Sequence, residues 1–419
     1  MTPAWIALAV FTVCYVLFVV LPQKRALTAC GGALILVATG VLPIREALCE
    51  AVSWNVMGLF FGTLVLAELF MESRMPAVLA ERLVDSFRSE RGAMLALCAL
   101  SGGISMFVEN VAVVLLLAPV ALSLAKRLKR SPVPLLIGIA VSSNLQGTAT
   151  MIGDPPSMIF AGYMKMGFWD FFLTQGKPGI FFAVQAGAVA SLLVLAWVFR
   201  DAKGRAKQIE REKALSMVPS YFLMLLVLGL SCATVVDPNF AWFAGCWTML
   251  LCLAALFWNG RKSLQMVKTL DWDTTFFLIG VFILVAGLSG SGWMDKLAGV
   301  LASSAGGSQV AGFAMVVVLS VIVSGFVDNV PFLLVMIPVV QKMSDQMGVN
   351  VQLLMYGLLI GACLGGNLTP IGASANVVTL GILKKQGYLV TFRDFAKIGL
   401  PFTVAAVAVA CAFVWMVWG

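Results

Sequence analysis

FVENVAVVLLLAPV (107–120) and FVDNVPFLLVMIPV (326–339) are two versions of one segment, related by an offset of 219 in numbering. The same offset relates GTATMIGDPPS (147–157) to GNLTPIGASAN (366–376), and Trp54 pairs with Trp272 at 218. Glu-Asn against Asp-Asn, and Thr-x-Ile-Gly against itself, held in register over both segments, mark an internal duplication. Each copy combines a long apolar run with a polar, glycine- or proline-rich interruption. That combination decides the fold class.

The 419 residues are 61% hydrophobic and only 11% charged, with a mean hydropathy of +0.98. A soluble domain carries about 25% charged residues. The apolar blocks are long enough to cross a bilayer as helix, and they are continuous rather than alternating, which selects membrane helices over a barrel. The net charge of +8 comes from bases gathered between the apolar runs, so it reads as a topology signal and not as a nucleic-acid surface. The nine cysteines show no CxxC pair, and those such as Cys14, Cys98, Cys252 and Cys363 sit inside apolar segments as small reduced core residues. Histidine is absent, so any proton carried by a side chain rides on a carboxylate. The N-terminus, lacking a basic leader and a cleavage site, reads as a first span.

The spacing predicts spans at 3–22, 26–43, 53–71 and 178–199 in the first half. In the second half it predicts them at 218–236, 240–258, 274–290 and 398–418. Residues 71–91 read as an amphipathic surface helix. Two stretches, 92–125 and 308–341, are split near their middles into arms of about 15 residues, each only about 22 Å long. They read as re-entrant hairpins, whose non-helical tips are tolerated at depth only against protein or water. Two more, 133–165 and 352–384, are helices broken by the glycine motifs. The expected architecture is therefore an all-α integral membrane protein of two inverted repeats. Each repeat has five transmembrane helices, a re-entrant hairpin and a broken helix, making ten spans plus two hairpins. The first repeat is placed at 1–199, a basic cytoplasmic linker at 200–213, and the second repeat at 214–419.

Charge supports this count. With re-entrant hairpins, 23 of the 28 Lys and Arg fall on one side and 5 on the other, which puts both termini outside. Letting the first hairpin cross would move the ten bases of 126–130 and 200–213 to the wrong side.

Inverted repeats with interrupted helices are the build of secondary transporters, with the site where the breaks meet. Half-helix N-termini offer free N–H groups to anions, and half-helix C-termini offer free C=O groups to cations. The candidate binding residues are Glu109, Asn110, Asn144, Gly147, Thr148, Thr150, Gly153, Asp154, Asp328, Asn329, Gly366, Asn367, Thr369, Gly372, Ser374 and Asn376. Asn110 and Asn329 are also the candidate sodium ligands. Carboxylates at this depth cost several kcal/mol, so Glu109, Asp154 and Asp328 either handle ions or cap the half-helices that follow them. In sequence, no Lys or Arg falls at the breaks, which favours a cation, a neutral solute, or an anion bound together with cations.

FVENV, FVDNVP, SNLQGTATMIGDPPS (143–157) and GACLGGNLTPIGASANV (361–377) resemble the signature segments of the ion transporter superfamily. They are most similar to its branch of ArsB-type arsenite permeases, the P-protein and NhaD-type antiporters, which share a citrate-transporter-like domain. The acidic tips depart from the typical arsenite permease, which has Asn there, and Glu109 departs from the more usual Asp. The resemblance implies a transporter rather than an enzyme, with no cofactor and with H+ or Na+ as coupling ion. It implies a scaffold and an elevator-like transport domain, often in a homodimer, in a bacterial plasma (inner) membrane. Arsenite or antimonite efflux is the leading expectation. A sodium/proton antiporter is the alternative, followed by an anion channel or a cation-coupled carboxylate carrier. No P-loop (GxxxxGK[ST]) occurs, so ATP drive would need a separate ATPase subunit as partner.

Overall fold

The computed structural model describes residues 3–204 and 215–419, so residues 205–213 of the expected basic linker lie outside the described residues. The principal helices of the first half are α1 (Pro3–Val20), α2 (Arg25–Ala38), α3 (Trp54–Glu72), α4 (Met75–Ser86) and α5 (Glu90–Ser105). They continue with α6 (Asn110–Arg127), α7 (Val133–Gly147), α8 (Pro155–Met164) and α9 (Ile180–Val198). The second half repeats the order with α10 (Val218–Val236), α11 (Phe243–Asn259), α12 (Trp272–Ser289), α13 (Trp293–Ser304) and α14 (Gln309–Ser324). It closes with α15 (Asn329–Met347), α16 (Val351–Gly365), α17 (Ser374–Lys385) and α18 (Phe392–Trp418). Each helix of the first half thus has its counterpart nine places later.

The packing obeys the same symmetry. α5 lies along α7 as α14 lies along α16, and α2 lies along α12 as α11 lies along α3. α9 packs against its own counterpart α18, where a two-fold axis relating the halves would pass. Small signatures recur in register. Trp54 Nε1 donates to the Leu48 carbonyl at 2.6 Å and Trp272 Nε1 to the Val267 carbonyl at 2.8 Å. Ser89 and Ser308 accept the backbone N–H groups of Gly92 and Ala311, capping α5 and α14. The chain is an all-α membrane protein of two inverted repeats. One two-stranded ribbon, β1 (Leu173–Thr174) with β2 (Lys177–Pro178), is a detail the apolar pattern did not signal.

Two groups of helices emerge. α1–α3 pack with α10–α12, and α5–α9 pack with α14–α18, the second group lying around the breaks. Burial separates centre from rim: 83% of the Val351–Leu368 segment is buried, against 17% of Pro3–Val20, whose exposed valines have the composition of a lipid-facing surface. The second arm of each hairpin is longer than its apolar run, with α6 at 18 residues and α15 at 19 residues, because basic and polar residues at their far ends continue the helix.

Within the first group, small residues set the approach of helices, as packing in lipid requires. A Cβ on Gly245 of α11 would lie 2.6 Å from the Asn55 carbonyl oxygen and 3.0 Å from its Cα, both on the α3 backbone. Asn55 meets this contact with polar bonds. Its side chain accepts from Gly245 N at 2.7 Å and donates to the Phe240 carbonyl at 2.8 Å. Gly245→Ala should therefore push α3 and α11 apart and cost about 1–3 kcal/mol. Gly31→Ala, which meets nothing within 4 Å, should be neutral or slightly stabilising. Thermal unfolding of both variants in detergent checks the opposite signs.

Candidate functional site

The first hairpin breaks between Ser105 and Asn110, and the first broken helix between Gly147 and Pro155. At each break the last carbonyls of one half-helix and the first N–H groups of the next lose their partners, and no water is at hand in hydrocarbon to replace them. Paired threonines supply part of the answer. The Thr150 hydroxyl donates to the Met106 carbonyl at the first tip, and the Thr369 hydroxyl donates to the Gly325 carbonyl at the second. Glycine allows the loops to fold onto the tips. A Cβ on Gly153 would lie 2.3 Å from the Gly147 carbonyl oxygen, and one on Gly372 would lie 2.7 Å from the Gly366 carbonyl oxygen. Those same carbonyls accept from the next half-helix, Gly147 from Ser157 Oγ at 3.4 Å and Gly366 from Asn376 Nδ2 at 3.0 Å.

The three break carboxylates all cap. Glu109 accepts from Ala112 N at 3.4 Å, Asp154 from Ser157 N at 3.1 Å, and Asp328 from Val330 N at 3.0 Å. Capping uses one oxygen of each and leaves the other to the surroundings, so capping does not exclude ion handling. The surroundings then differ sharply.

Around the first tip a buried amide chain crosses from one repeat to the other. Ser105 Oγ donates to Asn110 Oδ1 at 2.7 Å, and Asn110 Nδ2 donates to Asn144 Oδ1 at 3.0 Å. Asn144 Nδ2 donates to Asn367 Oδ1 at 3.0 Å and to the Cys363 carbonyl at 3.1 Å. Asn367 Nδ2 returns to the Val141 carbonyl at 3.1 Å. The first tip and both broken helices are thus one polar unit at the repeat interface.

Beside it is a cavity of about 10 Å³, lined by Phe60, Thr63, Phe107, Glu109, Gly153 and Asp154 among others. That volume suits one water or one bare small cation. Asp154 is 1% exposed, and its Oδ2 finds no hydrogen-bond partner among the described residues. Oδ2 of Asp154 and Oδ1 of Asn110 stand 3.3 Å and 2.5 Å from the point a Cβ on Gly147 would take, so only glycine keeps these oxygens together. The Thr148 hydroxyl and Asn376 Oδ1, both buried, also lack partners among the described residues.

The second tip goes elsewhere. Asp328 Oδ2 pairs with Arg25 Nη1 at 3.0 Å, so a base does reach a break, delivered by a helix remote in sequence. Arg25 had the pattern of a loop base fixing topology. No motif around residue 25 points to Asp328, and its counterpart at an offset of 218 is Phe243. Asn329 is half-buried and makes no side-chain hydrogen bond among the described residues, and Ser374 is exposed. Of the expected cage, Asn110, Asn144, Gly147, Thr148, Thr150, Gly153, Asp154, Gly366, Asn367, Thr369, Gly372 and Asn376 form the buried centre. Glu109 stands at its edge, while Asp328, Asn329 and Ser374 stand apart from the network. Ser105 and Thr63 are additions; Ser105 was findable, since Ser324 repeats it at 219.

The family model described as a citrate transporter matches residues 15–355 and 247–418. An uncharacterized transporter of Mycobacterium bovis is 28% identical over 98% of each chain. An uncharacterized transporter of Synechocystis is 28% identical over 98% of this chain and 97% of its own. The human P protein is 27% identical over 98% of this chain and 60% of its own length. Among solved structures, the Alcanivorax borkumensis YdaH transporter superposes with a TM-score of 0.62 at 13% identity, covering 99% of this chain and 98% of that one. Neisseria gonorrhoeae MtrF, placed by its report in a class of antimetabolite efflux pumps, gives 0.59 at 13% identity over 92% and 85%. At that identity the likeness carries the fold alone.

Removing a link of the amide chain strands its buried neighbours. Asn144→Ala and Asn367→Ala should each cost about 1–3 kcal/mol. The double variant should cost about 1 kcal/mol less than the sum, because the two share a bond. A double-mutant cycle on thermal unfolding reads the coupling.

Proposed function

Because the chain belongs to the citrate transporter family, we propose that it is a secondary active transporter whose coupling cation, H+ or Na+, is held by Glu109 and Asp154. The observation that supports this most is the small cavity shared by those two acids, with Asp154 Oδ2 buried and unpartnered among the described residues. A carboxylate oxygen left so in a low-dielectric interior costs free energy that a proton or a bare cation recovers. Asn110, Thr148 and the carbonyls at the broken ends supply the neutral oxygens a dehydrated sodium ion needs. Asp328 and Asn329 at the second tip are the matching pair of the other repeat.

The solute sits beside the cation, against Asn144, Thr150, Asn367, Thr369 and Asn376. Amides and hydroxyls without a free base suit a small hydroxylated neutral species, and arsenite or antimonite leaving the cell in exchange for protons is the leading assignment. Two rivals have specific support. Two acids sharing a cavity suit a sodium/proton antiporter needing no further solute. The family's description favours a carboxylate, which would enter with cations because Arg25 is already engaged by Asp328 and Asp273.

In this reading α5–α9 and α14–α18 carry the site as one body past the frame of α1–α3 and α10–α12, in elevator fashion, with both tips re-entrant. Exposed apolar residues on the frame, among them Phe257 at 91% and Val235 at 85%, provide area for lipid or for a second copy in a homodimer. The bacterial transporter relatives support an inner-membrane location, and the distribution of bases supports both termini outside.

Proteoliposomes loaded with arsenite, antimonite, sodium or citrate, under imposed pH and sodium gradients, test the assignment. Saturable, gradient-dependent flux of one solute is expected. Glu109→Gln and Asp154→Asn should each lower the gradient-driven rate at least tenfold while keeping wild-type elution and unfolding temperature. Wild-type rates in Asp154→Asn would remove the proposed ion site.

A further inference from the structure

Arg25 is the first residue of α2, and each of its three guanidinium nitrogens has a partner. Nη1 meets Asp328 Oδ2 at 3.0 Å, Nε meets Asp273 Oδ2 at 3.1 Å, and Nη2 donates to Thr274 Oγ1 at 2.7 Å. The flat face lies 5.1 Å from the centre of the Phe277 ring. A planar fork held on three edges and one face is pre-organised in a way a lysine would not be. The ion pair is half-buried, with side-chain exposures of 21% and 28%.

Its position gives it meaning. Arg25, Asp273, Thr274 and Phe277 belong to α2 and α12, in the first helix group, whereas Asp328 is the tip that begins α15, in the second. The pair therefore ties the two groups at the tip whose counterpart, Glu109, stands at the buried cavity. Charge does not close locally. Arg25 faces Asp271, Asp273 and Asp328, with Glu109 also within Coulombic range of Asp271 and Arg25, and Tyr15 within range of Asp328. Lys24, the other base of the turn, is exposed. One guanidinium among three nearby acids leaves the cluster attractive to a further cation.

We propose that Arg25 is a tethered counter-ion for the second tip, competing for Asp328 with a second cation, beyond the one placed at Glu109 and Asp154, and binding the two helix groups together while it holds. The inference rests on the transporter reading above and extends it. When a cation takes Asp328, the guanidinium is released onto Asp273 and Asp271, and the tip is free to part from α2. When the cation leaves, Arg25 neutralises the tip again, so the half-buried Asp328 is not left unpaired.

The test follows sodium binding by the full chain in lipid nanodiscs, read as the NaCl dependence of thermal unfolding with choline chloride holding ionic strength constant. Arg25→Gln should lower the NaCl midpoint by roughly tenfold, about the worth of one partly exposed charged hydrogen bond, or reveal a midpoint where wild type has none. Asp273→Asn, which removes one acid that shares Arg25 with Asp328, should move the midpoint the other way and covers the case that Arg25→Gln fails to fold. Arg25→Gln with Asp328→Asn should lose the gain. Arg25→Gln and Asp273→Asn both matching wild type would overturn the inference, as would a gain that survives Asp328→Asn. If Glu109→Gln abolishes the sodium response while Arg25→Gln leaves it unchanged, the inference falls and the transporter reading stands. Undiminished solute flux in Asp154→Asn counts against that reading instead.

Discussion

A helix that stops inside hydrocarbon leaves N–H and C=O groups that only protein can satisfy, and the structure is organised around meeting that demand four times. Thr150 and Thr369 take tip carbonyls, Ser157 and Asn376 take the carbonyls of Gly147 and Gly366, and the three acids take N–H groups. Because the threonine bonds run from each broken helix to a tip, tips and broken helices cannot be placed independently. The polar centre and the close approach of glycine to carbonyl are two sides of one solution.

The two repeats solve the problem with different residues, and the differences set their chemistry. Asn144 has Cys363 as its counterpart, so the amide chain runs through the first repeat and meets the second only at Asn367 and the Cys363 carbonyl. Asp154 has Ala373, so one broken helix carries a carboxyl group and the other none. Glu109 keeps the company of Asp154 in a small cavity, whereas Asp328 is claimed by an arginine. Duplication supplied a symmetric frame; divergence at a few positions left one tip beside a second acid and paired the other with a base.

The sequence carried the frame well because its signal was repetitive. A constant offset of 219 located tips and breaks, and hydropathy placed the ends of most helices close to where they fall. Asn110, Asn144, Thr150, Asn367 and Asn376 were legible as polar residues at breaks, where burial demands partners. Arg25 was not. Its role depends on α2 and α12 packing side by side, a contact between segments from opposite halves of the chain with no local trace. A base at the start of a span has the same appearance whether it faces lipid headgroups or an acid. The arms of the hairpins were read short because the polar residues that end the hydropathy signal do not end the helix.

Inverted repeats allow the two halves to exchange conformations, which converts a carrier facing one side into one facing the other. In a perfectly duplicated chain the two orientations would be equal in energy. Here Phe243 stands where the image of Arg25 would be, so the orientation in which Glu109 took the place of Asp328 would have no ionic tether to match. In the transport cycle proposed above, that difference tilts the landscape toward the orientation that keeps the arginine paired. On that proposal, leaving this orientation is uphill unless a bound ion compensates.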